Sequence, residues 1–262
     1  MAKIHHFSLV DPAAQLADDV VVGPFCVVGP KVKIGAGTVL ISHVNVTGNT
    51  EIGERNRIFP NASIGCEPQD KKYKGEDTRL VIGDDNVIRE HVTIATGTVQ
   101  DHGITVVGNR NLFMANVHIA HDCIIGDDTI LANNVGLAGH STVASRAIIG
   151  GLHQFCRIGE GAMVGGGSIL VMDVPPFVIC NGNPAEPHGL NVVGLRRAGY
   201  DLKALNAFKA AYKTIYRDGL RIPEAIQVLD VLISNNPQVA RELQLMRDFI
   251  ATSERGIIRP KA

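Results

Sequence analysis

The chain has 262 residues, of which 45% are apolar and only 5% aromatic, and it contains 28 glycines and no tryptophan. This composition favours a regular, repetitive β architecture over an ordinary globular core, in which large rings fill irregular gaps. The net charge of −1 argues against general binding of nucleic acid or of a membrane surface.

Five cysteines are present, and no two of them form a Cys-x-x-Cys pair, so a zinc knuckle or dithiol redox motif is not expected. The odd number favours a reducing compartment. The N-terminus lacks the apolar core of a signal peptide, and no apolar run approaches the length of a membrane span. We therefore expect a cytoplasmic protein without stable membrane insertion.

An aliphatic residue recurs every six positions in the first quarter of the chain, at Val10, Leu16, Val22, Val28, Ile34, Leu40, Val46, Ile52, Ile58 and Ile64. A period of six fits neither an α-helix nor a simple strand. It fits a triangular coil in which three hexads make one turn and the aliphatic side chains point inward. The repeat therefore predicts a parallel β-helix.

Two polar segments, residues 66–80 and 96–105, interrupt the repeat and are expected to be loops extruded from the coil. Between and after them the repeat returns in register, at Ile82, Ile88, Ile94, Val107, Phe113, Ile119, Ile125, Leu131, Leu137, Val143 and Ile149. It continues at Ile158, Val164 and Leu170, but the step from Ile149 to Ile158 is one and a half hexads instead of two. Half a hexad is therefore missing near Leu152–His153, so either one turn of the coil is shortened or three residues are missing from the sequence at this point.

After the coil, residues 181–199 are rich in Gly, Asn and Pro and are expected to form an extended linker. From Asp201, a candidate N-cap, the apolar period becomes helical. Further helices are expected to open at Pro223 and at Asn236-Pro237. The predicted fold is mainly β, with a parallel β-helix over residues 1–185 and a linker and small α-helical domain over residues 186–262.

The helical end of the chain is basic, because residues 196–262 hold 12 Lys and Arg against 7 Asp and Glu. A basic region on a nearly neutral protein indicates an acidic partner. The alternative is an ordinary solvated helical surface.

Residues 116–123 place His118 and His121 three positions apart, with Asp122 next to the second. His140 follows about one turn of the coil later and His153 roughly another turn later, so the period predicts a column of imidazoles. A carboxylate bonded to an imidazole fixes its tautomer and stabilises the imidazolium, which indicates a general base at His121. The alternative is a set of exposed polar corner residues. Adjacent residues on a strand face opposite ways, so the His121–Asp122 pairing requires a corner.

The same histidines suggest a second alternative, because zinc accepts three histidine ligands. No further acidic ligand is evident in the sequence, so no metal or other cofactor is expected.

Twelve segments spread over nearly the whole chain resemble the family of UDP-N-acetylglucosamine O-acyltransferases, which begin lipid A synthesis. The segments are Val22-Gly-Pro-Phe, Gln69-Asp-x-Lys-Tyr-x-Gly-Glu, Ile88-Arg-Glu, Gly97-Thr-Val-Gln, His118-Ile-Ala-His-Asp-Cys, Leu131-Ala-Asn-Asn, Ala138-Gly-His, His153-Gln-Phe, Asp173-Val-Pro-Pro, Gly182-Asn-Pro-Ala, Gly194-Leu-Arg-Arg and Arg255-Gly-Ile-Ile-Arg. The resemblance implies a left-handed coil and a homotrimer with sites between subunits.

The resemblance also implies a reaction, in which an (R)-3-hydroxyacyl group moves from the phosphopantetheine thioester of acyl carrier protein to the glucosamine 3-hydroxyl of UDP-N-acetylglucosamine. In this family pattern His121 corresponds to the general base and Asp122 to the residue that orients it. The Gly139 N–H corresponds to the donor for the oxyanion.

Other positions of the pattern imply substrate contacts, namely Gln69, Asp70, Lys72, His118, His140, His153, Gln154, Asn191 and Arg197. Gly166 corresponds to the position where a small residue lets a long acyl chain pass. Acyl carrier protein is strongly acidic, and Lys213, Arg217 and Arg221 are candidates to contact it.

The sequence departs from the family pattern at Val193, where a Glu is common, at Ala95-Thr96, where His-Arg is common, and at the shortened spacing before His153. Within enzymes, the rivals are the N-acyltransferase of the same pathway and a CoA-dependent acetyltransferase. The alternative functions from other classes are a metal-dependent, hydratase-like trimer and a purely structural solenoid.

Overall fold

A computed structural model describes residues 1–150 and 155–260. Three sheets of short strands wind into a triangular parallel β-helix, and successive strands of the chain belong to successive faces. Each strand pairs with the strand of the next turn, as Lys3 does with Val21, three hexads along the chain. The six-residue period therefore becomes a three-faced coil, as predicted.

The strands of each face follow one another in chain order. The first face contains Lys3–Ile4, Val21–Val22, Val39–Leu40, Arg57–Ile58, Val87–Ile88, Leu112–Phe113, Ile130–Leu131, Ile148–Ile149, Met163–Val164, Val178–Gly182 and Ala185–Leu190. The second contains Leu9–Val10, Val27–Val28, Asn45–Val46, Ser63–Cys66, Thr93–Ala95, His118–Ile119 and Gly136–Leu137. The third contains Gln15–Leu16, Lys33–Ile34, Asn49–Ile52, Arg79–Ile82, Ile104–Val107, Ile124–Ile125, Thr142–Val143 and Arg157–Ile158.

The core of the coil is a stack of the repeating aliphatic side chains, and from Val22 onward every predicted inward position is buried. Val10 and Leu16 are only half-buried, because no turn of the coil covers them from below. Burying a Val, Leu or Ile side chain contributes about 1.5–3 kcal/mol each, so this stack is the main source of stability.

Both predicted loops are present and leave the coil without changing its register. Between Cys66 and Arg79 the chain is extruded, and Asn49 still pairs with Arg79 on the far side of the extruded segment. Between Ala95 and Ile104 it is extruded again, and Thr93 pairs with His118 in the same way. We name these segments the first loop, residues 67–78, and the second loop, residues 96–103.

The missing half hexad is reflected in the pairing of the strands that flank it. Ile124 pairs with Thr142, three full hexads along the chain, whereas Thr142 pairs with Arg157, only two and a half hexads along. The coil therefore absorbs the loss of half a hexad and its strands stay paired. His153 and Gln154 lie outside the described residues.

The prediction of an extended linker over residues 181–199 is wrong. Val178–Gly182 and Ala185–Leu190 form an antiparallel hairpin on the first face, and a short helix, α1 (Val192–Arg197), follows. Gly, Asn and Pro form the tight turn of this hairpin, so their abundance did not indicate an unpaired chain. The expected domain boundary at residues 185 and 186 falls inside the hairpin.

The remaining helices are α2 (Leu202–Tyr216), α3 (Ile222–Asn235), a 3-10 turn (Pro237–Val239) and α4 (Ala240–Ala251). The Asp201 side chain accepts the Ala204 N–H at 2.8 Å and caps α2, as predicted. Phe208, Leu229, Leu243 and Met246 are buried in a core of their own beside the coil. None of the helices described in residues 1–150 and 155–260 has the length and apolar content needed to cross a membrane.

Candidate active site

His121 and Asp122 form a buried pair at a corner of the coil. Asp122 has a φ of +57°, which turns the chain between the second and third faces. The turn brings Asp122 Oδ2 to 2.9 Å from His121 Nδ1, with the Asp122 side chain inaccessible to solvent. The corner that the pairing required is therefore present. With its Nδ1 directed at the carboxylate, the imidazole keeps Nε2 for a ligand.

Asp122 is itself held by the second loop. Its Oδ1 accepts the Thr98 N–H at 2.9 Å, and its Oδ2 accepts the Thr98 hydroxyl at 2.6 Å. The Asp122 N–H donates to the Thr105 hydroxyl at 2.9 Å. A buried carboxylate that is held by several hydrogen bonds cannot rotate freely, so Asp122 fixes the orientation of His121.

Sequence reasoning missed Thr98 and Thr105 as parts of the site. The segment beginning at Gly97 belonged to the resemblance, but the hexad period does not place an extruded loop against Asp122. The available signal was a threonine inside the loop and another just after it, both close in sequence to the candidate His–Asp pair.

Gly139 lies one turn above His121 in the coil and lines the space that the imidazole occupies. A Cβ on Gly139 would lie 2.6 Å from Cε1 and 2.7 Å from Nε2 of His121. Among residues 1–150 and 155–260 the Gly139 N–H has no hydrogen-bond acceptor. Within those residues, Gly139 therefore combines a backbone donor without an acceptor with close packing against the His121 ring, which an oxyanion site requires.

His140 is close to His121, but its place in the coil differs from the predicted column. It occupies the corner position equivalent to that of Asp122, one turn further along, with a φ of +61°. The His140 and His121 rings meet edge to face, with centroids 4.9 Å apart. The imidazoles therefore cluster without stacking in one straight line.

His118 lies on the second face, where its Nδ1 is 2.7 Å from the Thr93 hydroxyl. Burial lowers the pKa of His118, and the neighbouring His121 lowers it further. The ring is therefore neutral in the folded protein at neutral pH.

The lowered pKa of His118 predicts acid sensitivity of the fold. In the unfolded chain this ring takes up a proton near pH 6.5, whereas in the folded chain it takes one up only at lower pH. The free energy of unfolding should therefore fall as pH decreases below about 6.5. Urea unfolding at pH 7.5 and 5.5 measures the loss. His118→Gln should show a smaller loss, and an equal loss in both proteins would contradict the prediction.

His121, Asp122 and His140 could also offer one ligand atom each to a metal ion, since these atoms lie within 4.8 Å of one another. In the structure Asp122 Oδ2 is engaged in hydrogen bonds, since it contacts both the Thr98 hydroxyl and His121 Nδ1. The cluster fits an imidazole–carboxylate network better than a ligand set, and a metal would have to displace those bonds.

The residues of the first loop lie apart from this cluster. Asp70 Oδ1 accepts the Lys72 N–H at 2.9 Å and stabilises the turn, while Gln69 precedes it. No hydrogen bond or ring contact within the described residues joins Gln69, Asp70 or Lys72 to His121. These three positions stay predictions.

Asn191 is buried and both of its amide atoms are engaged. Its Nδ2 donates to the Gly161 carbonyl at 3.0 Å, and its Oδ1 accepts the Gly194 N–H at 2.9 Å, which caps α1. Arg197, at the end of the same helix, is exposed. A Cβ on Gly166 would have no neighbour within 4 Å among residues 1–150 and 155–260. Their substrate contacts stay predictions, as do those of His153 and Gln154.

The predicted basic residues divide into two groups. Lys213 and Arg217 line a groove of about 380 Å³ together with Lys209 and Tyr212. Arg221 instead caps α3, with its Nε 2.9 Å from Glu224 Oε1, and this pairing lowers the pKa of Glu224. The charge of Arg221 is therefore balanced locally.

Two family models match the chain. Residues 173–258 match a model described as Udp N-acetylglucosamine O-acyltransferase, domain 2. Residues 104–139, which contain His118, His121 and Gly139, match a model of six bacterial transferase hexapeptide repeats.

Relatives match over almost the full length. A curated protein of Thiobacillus denitrificans, named acyl-(acyl-carrier-protein)–UDP-N-acetylglucosamine O-acyltransferase, is 53% identical over 99% of this chain and 100% of its own length. The crystal structure of UDP-N-acetylglucosamine O-acyltransferase (LpxA) from Moraxella catarrhalis is 50% identical with a TM-score of 0.93, covering 98% of this chain and 99% of that one. LpxA from Acinetobacter baumannii is 48% identical with a TM-score of 0.93 and the same coverage.

The predicted left-handed sense of the coil and the predicted family agree with these matches. Each of the full-length relatives covers the coil and the helical end together, so the likeness does not depend on the repeat alone. The chain belongs to the family of UDP-N-acetylglucosamine O-acyltransferases.

Proposed function

We propose that this protein transfers an (R)-3-hydroxyacyl group from acyl carrier protein to the glucosamine 3-hydroxyl of UDP-N-acetylglucosamine, the first step of lipid A synthesis, with His121 as the general base. The observation that carries the proposal is the buried His121–Asp122 pair beside the Gly139 N–H. Acyl transfer needs both a base for the hydroxyl and a donor for the oxyanion.

The steps follow from this geometry. His121 Nε2 takes the proton of the glucosamine 3-hydroxyl as its oxygen attacks the thioester carbonyl. Asp122, bonded to Nδ1, stabilises the imidazolium that forms. The Gly139 N–H donates to the tetrahedral oxyanion. When the intermediate collapses, the C–S bond breaks and the imidazolium returns its proton to the phosphopantetheine sulfur.

The remaining predicted contacts complete the site in this proposal. His118, His140, His153, Gln154, Asn191 and Arg197 contact the acceptor, and Gln69, Asp70 and Lys72 lie at the donor end. A homotrimer brings the first loop of one subunit to the cluster of the next, which accounts for the separation of these residues within one chain. Cross-linking and light scattering would test the trimer, and a monomer with full activity would contradict it.

The reaction is placed in the cytoplasm, where acyl carrier protein and the nucleotide sugar would both be available. Burial raises the pKa of Cys123 and of Cys180 to about 12 each, so both thiols stay protonated in the core. Thiols buried in this way are typical of proteins of a reducing compartment.

The groove lined by Lys209, Lys213 and Arg217 is the proposed contact for acyl carrier protein. The double change Lys213→Glu and Arg217→Glu should raise KM for the acyl carrier substrate about tenfold, equivalent to about 1.4 kcal/mol, because two attractive charges become repulsive. KM for UDP-N-acetylglucosamine should not change. Steady-state kinetics at low salt measures both constants.

The matched control for this prediction is Lys33→Glu, which reverses an exposed charge on the coil. Arg221→Glu should have a smaller effect than Arg217→Glu, because Glu224 already balances Arg221, as Asp218 balances Lys213 at 3.3 Å. An unchanged KM for the carrier substrate in the double variant would remove this surface from the proposal.

The direct test is to present a panel of 3-hydroxyacyl carrier proteins with UDP-N-acetylglucosamine and, separately, with its 3-amino analogue. Transfer to the hydroxyl acceptor supports the proposal, and transfer only to the amino analogue would change the acceptor. The metal-dependent alternative is tested by elemental analysis of the purified protein. Stoichiometric zinc whose removal abolishes activity would overturn the role given to His121.

A further inference from the structure

Asp101, at the tip of the second loop, forms a second carboxylate–imidazole pair in the site. Its Oδ2 lies 2.6 Å from His140 Nδ1. The loop is closed at this point by the Asp101 and Gly103 N–H groups, which donate to the Thr98 carbonyl at 3.2 and 3.0 Å. One tight turn therefore carries both Thr98, which holds Asp122, and Asp101, which holds His140.

His140 is fixed from three sides. Asp101 bonds one edge of its ring, the Phe155 ring stacks on its face with centroids 4.5 Å apart and planes 3° from parallel, and His121 meets it edge to face. The His140 side chain is 14% exposed. These contacts hold the ring in one orientation. A freely rotating side chain would lose conformational entropy when a ligand binds, and the fixed His140 ring avoids that cost.

The position of the proton on His140 follows from its neighbours. Nδ1 faces two carboxylates, that of Asp101 at 2.6 Å and that of Asp122 at 3.9 Å. Carboxylates are acceptors, so Nδ1 must carry a hydrogen. Nε2, on the far edge of the ring, is then the atom that remains for a ligand.

We propose that Asp101 is a positioning residue for acyl transfer, which holds His140 with its proton on Nδ1 so that Nε2 faces the acceptor beside His121. The inference rests on the proposed function, because it assigns His140 to the same bound sugar. It goes beyond that function because neither the six-residue repeat nor the family resemblance gives Asp101 a role.

The test is a double-mutant cycle on kcat/KM for UDP-N-acetylglucosamine. Asp101→Asn should lower kcat/KM about tenfold in the native background and less than about twofold in the His140→Ala background, because a residue that acts through His140 has nothing left to position. Asp18→Asn, the same substitution at an exposed site on the first turns of the coil, should have no effect in either background. An equal loss from Asp101→Asn in both backgrounds, or no loss in either, would overturn the proposal.

A second readout does not depend on activity. ¹⁵N NMR of histidine-labelled protein, with the His140 signals assigned by comparison with His140→Ala, should show the Nδ1–H tautomer in the native chain. Asp101→Asn should populate the Nε2–H tautomer, because the Asn amide can donate to Nδ1. An unchanged His140 spectrum would contradict the inference, whereas a failure of the proposed function would appear as absent transfer by the native enzyme.

Discussion

His121→Ala is expected to lower kcat for acyl transfer by about 10²–10⁴-fold, the range that a positioned general base supplies. The substitution removes Nε2, the ring nitrogen that is not directed at Asp122. It also removes the ring that packs against Gly139, since the three atoms nearest to a Cβ on Gly139 all belong to His121. KM for either substrate should change little, because the ring acts on the proton and not on ground-state binding. Steady-state kinetics with a 3-hydroxyacyl carrier protein measures the effect.

His6→Ala is the matched control for this prediction, since His6 is exposed on the first turn of the coil, far along the chain from the cluster. It should leave kcat unchanged. Thermal melting of both variants separates loss of catalysis from loss of fold. A His121→Ala variant with undiminished kcat and a native melting temperature would remove His121 from the role of general base.

The coil itself could be predicted from the sequence because its determinants are local and periodic. Each aliphatic side chain in the series occupies an equivalent inward position, so one rule placed residues as distant as Val22 and Val164 in the core. The same rule detected the shortened turn, since Ile158 comes half a hexad too early and Thr142 pairs with Arg157 instead of with a position three full hexads away.

The period also predicted which turn holds the candidate base, but not how its side chains interlock. Counting from His121 placed His140 above it, whereas the residue that truly overlies His121 is Gly139 and the residue below His140 is Asp122. A shift of one position along the chain moves a side chain from a flat face of the coil to a corner. The spacing from His121 to His140 exceeds one turn by a single position, so the period alone did not show that the two rings occupy different places in their turns.

The contacts made by the second loop could not be predicted, because a loop extruded from the coil has no period. Thr98 and Asp101 reach Asp122 and His140 across 24 and 39 positions of sequence, distances set by how the loop folds back. The hairpin over Val178–Gly182 and Ala185–Leu190 was missed for a related reason, since turn-forming residues suit a linker and a hairpin equally well.

Gly139→Ala should lower kcat by about 10²–10³-fold, comparable to the loss of an oxyanion donor. The added methyl would lie 2.6 Å from His121 Cε1, closer than two carbon atoms can approach, so the ring must move. The ring cannot move freely, because its Nδ1 is bonded to Asp122, whose carboxylate Thr98 holds in turn. One methyl group would therefore have two effects: it would displace the His121 ring and it would crowd the Gly139 N–H.

Gly136→Ala makes the same substitution one strand earlier and provides the control. A Cβ on Gly136 would have no neighbour within 4 Å in the part of the chain that the structure describes, and its backbone is not left-handed, so kcat and melting temperature should both stay native. Gly139 is also not left-handed, so its substitution acts through the His121 ring and not through backbone strain. If Gly139→Ala retained native kcat, the imidazole would have room to move without losing function, and the fixed His121 orientation could not be essential to the transfer.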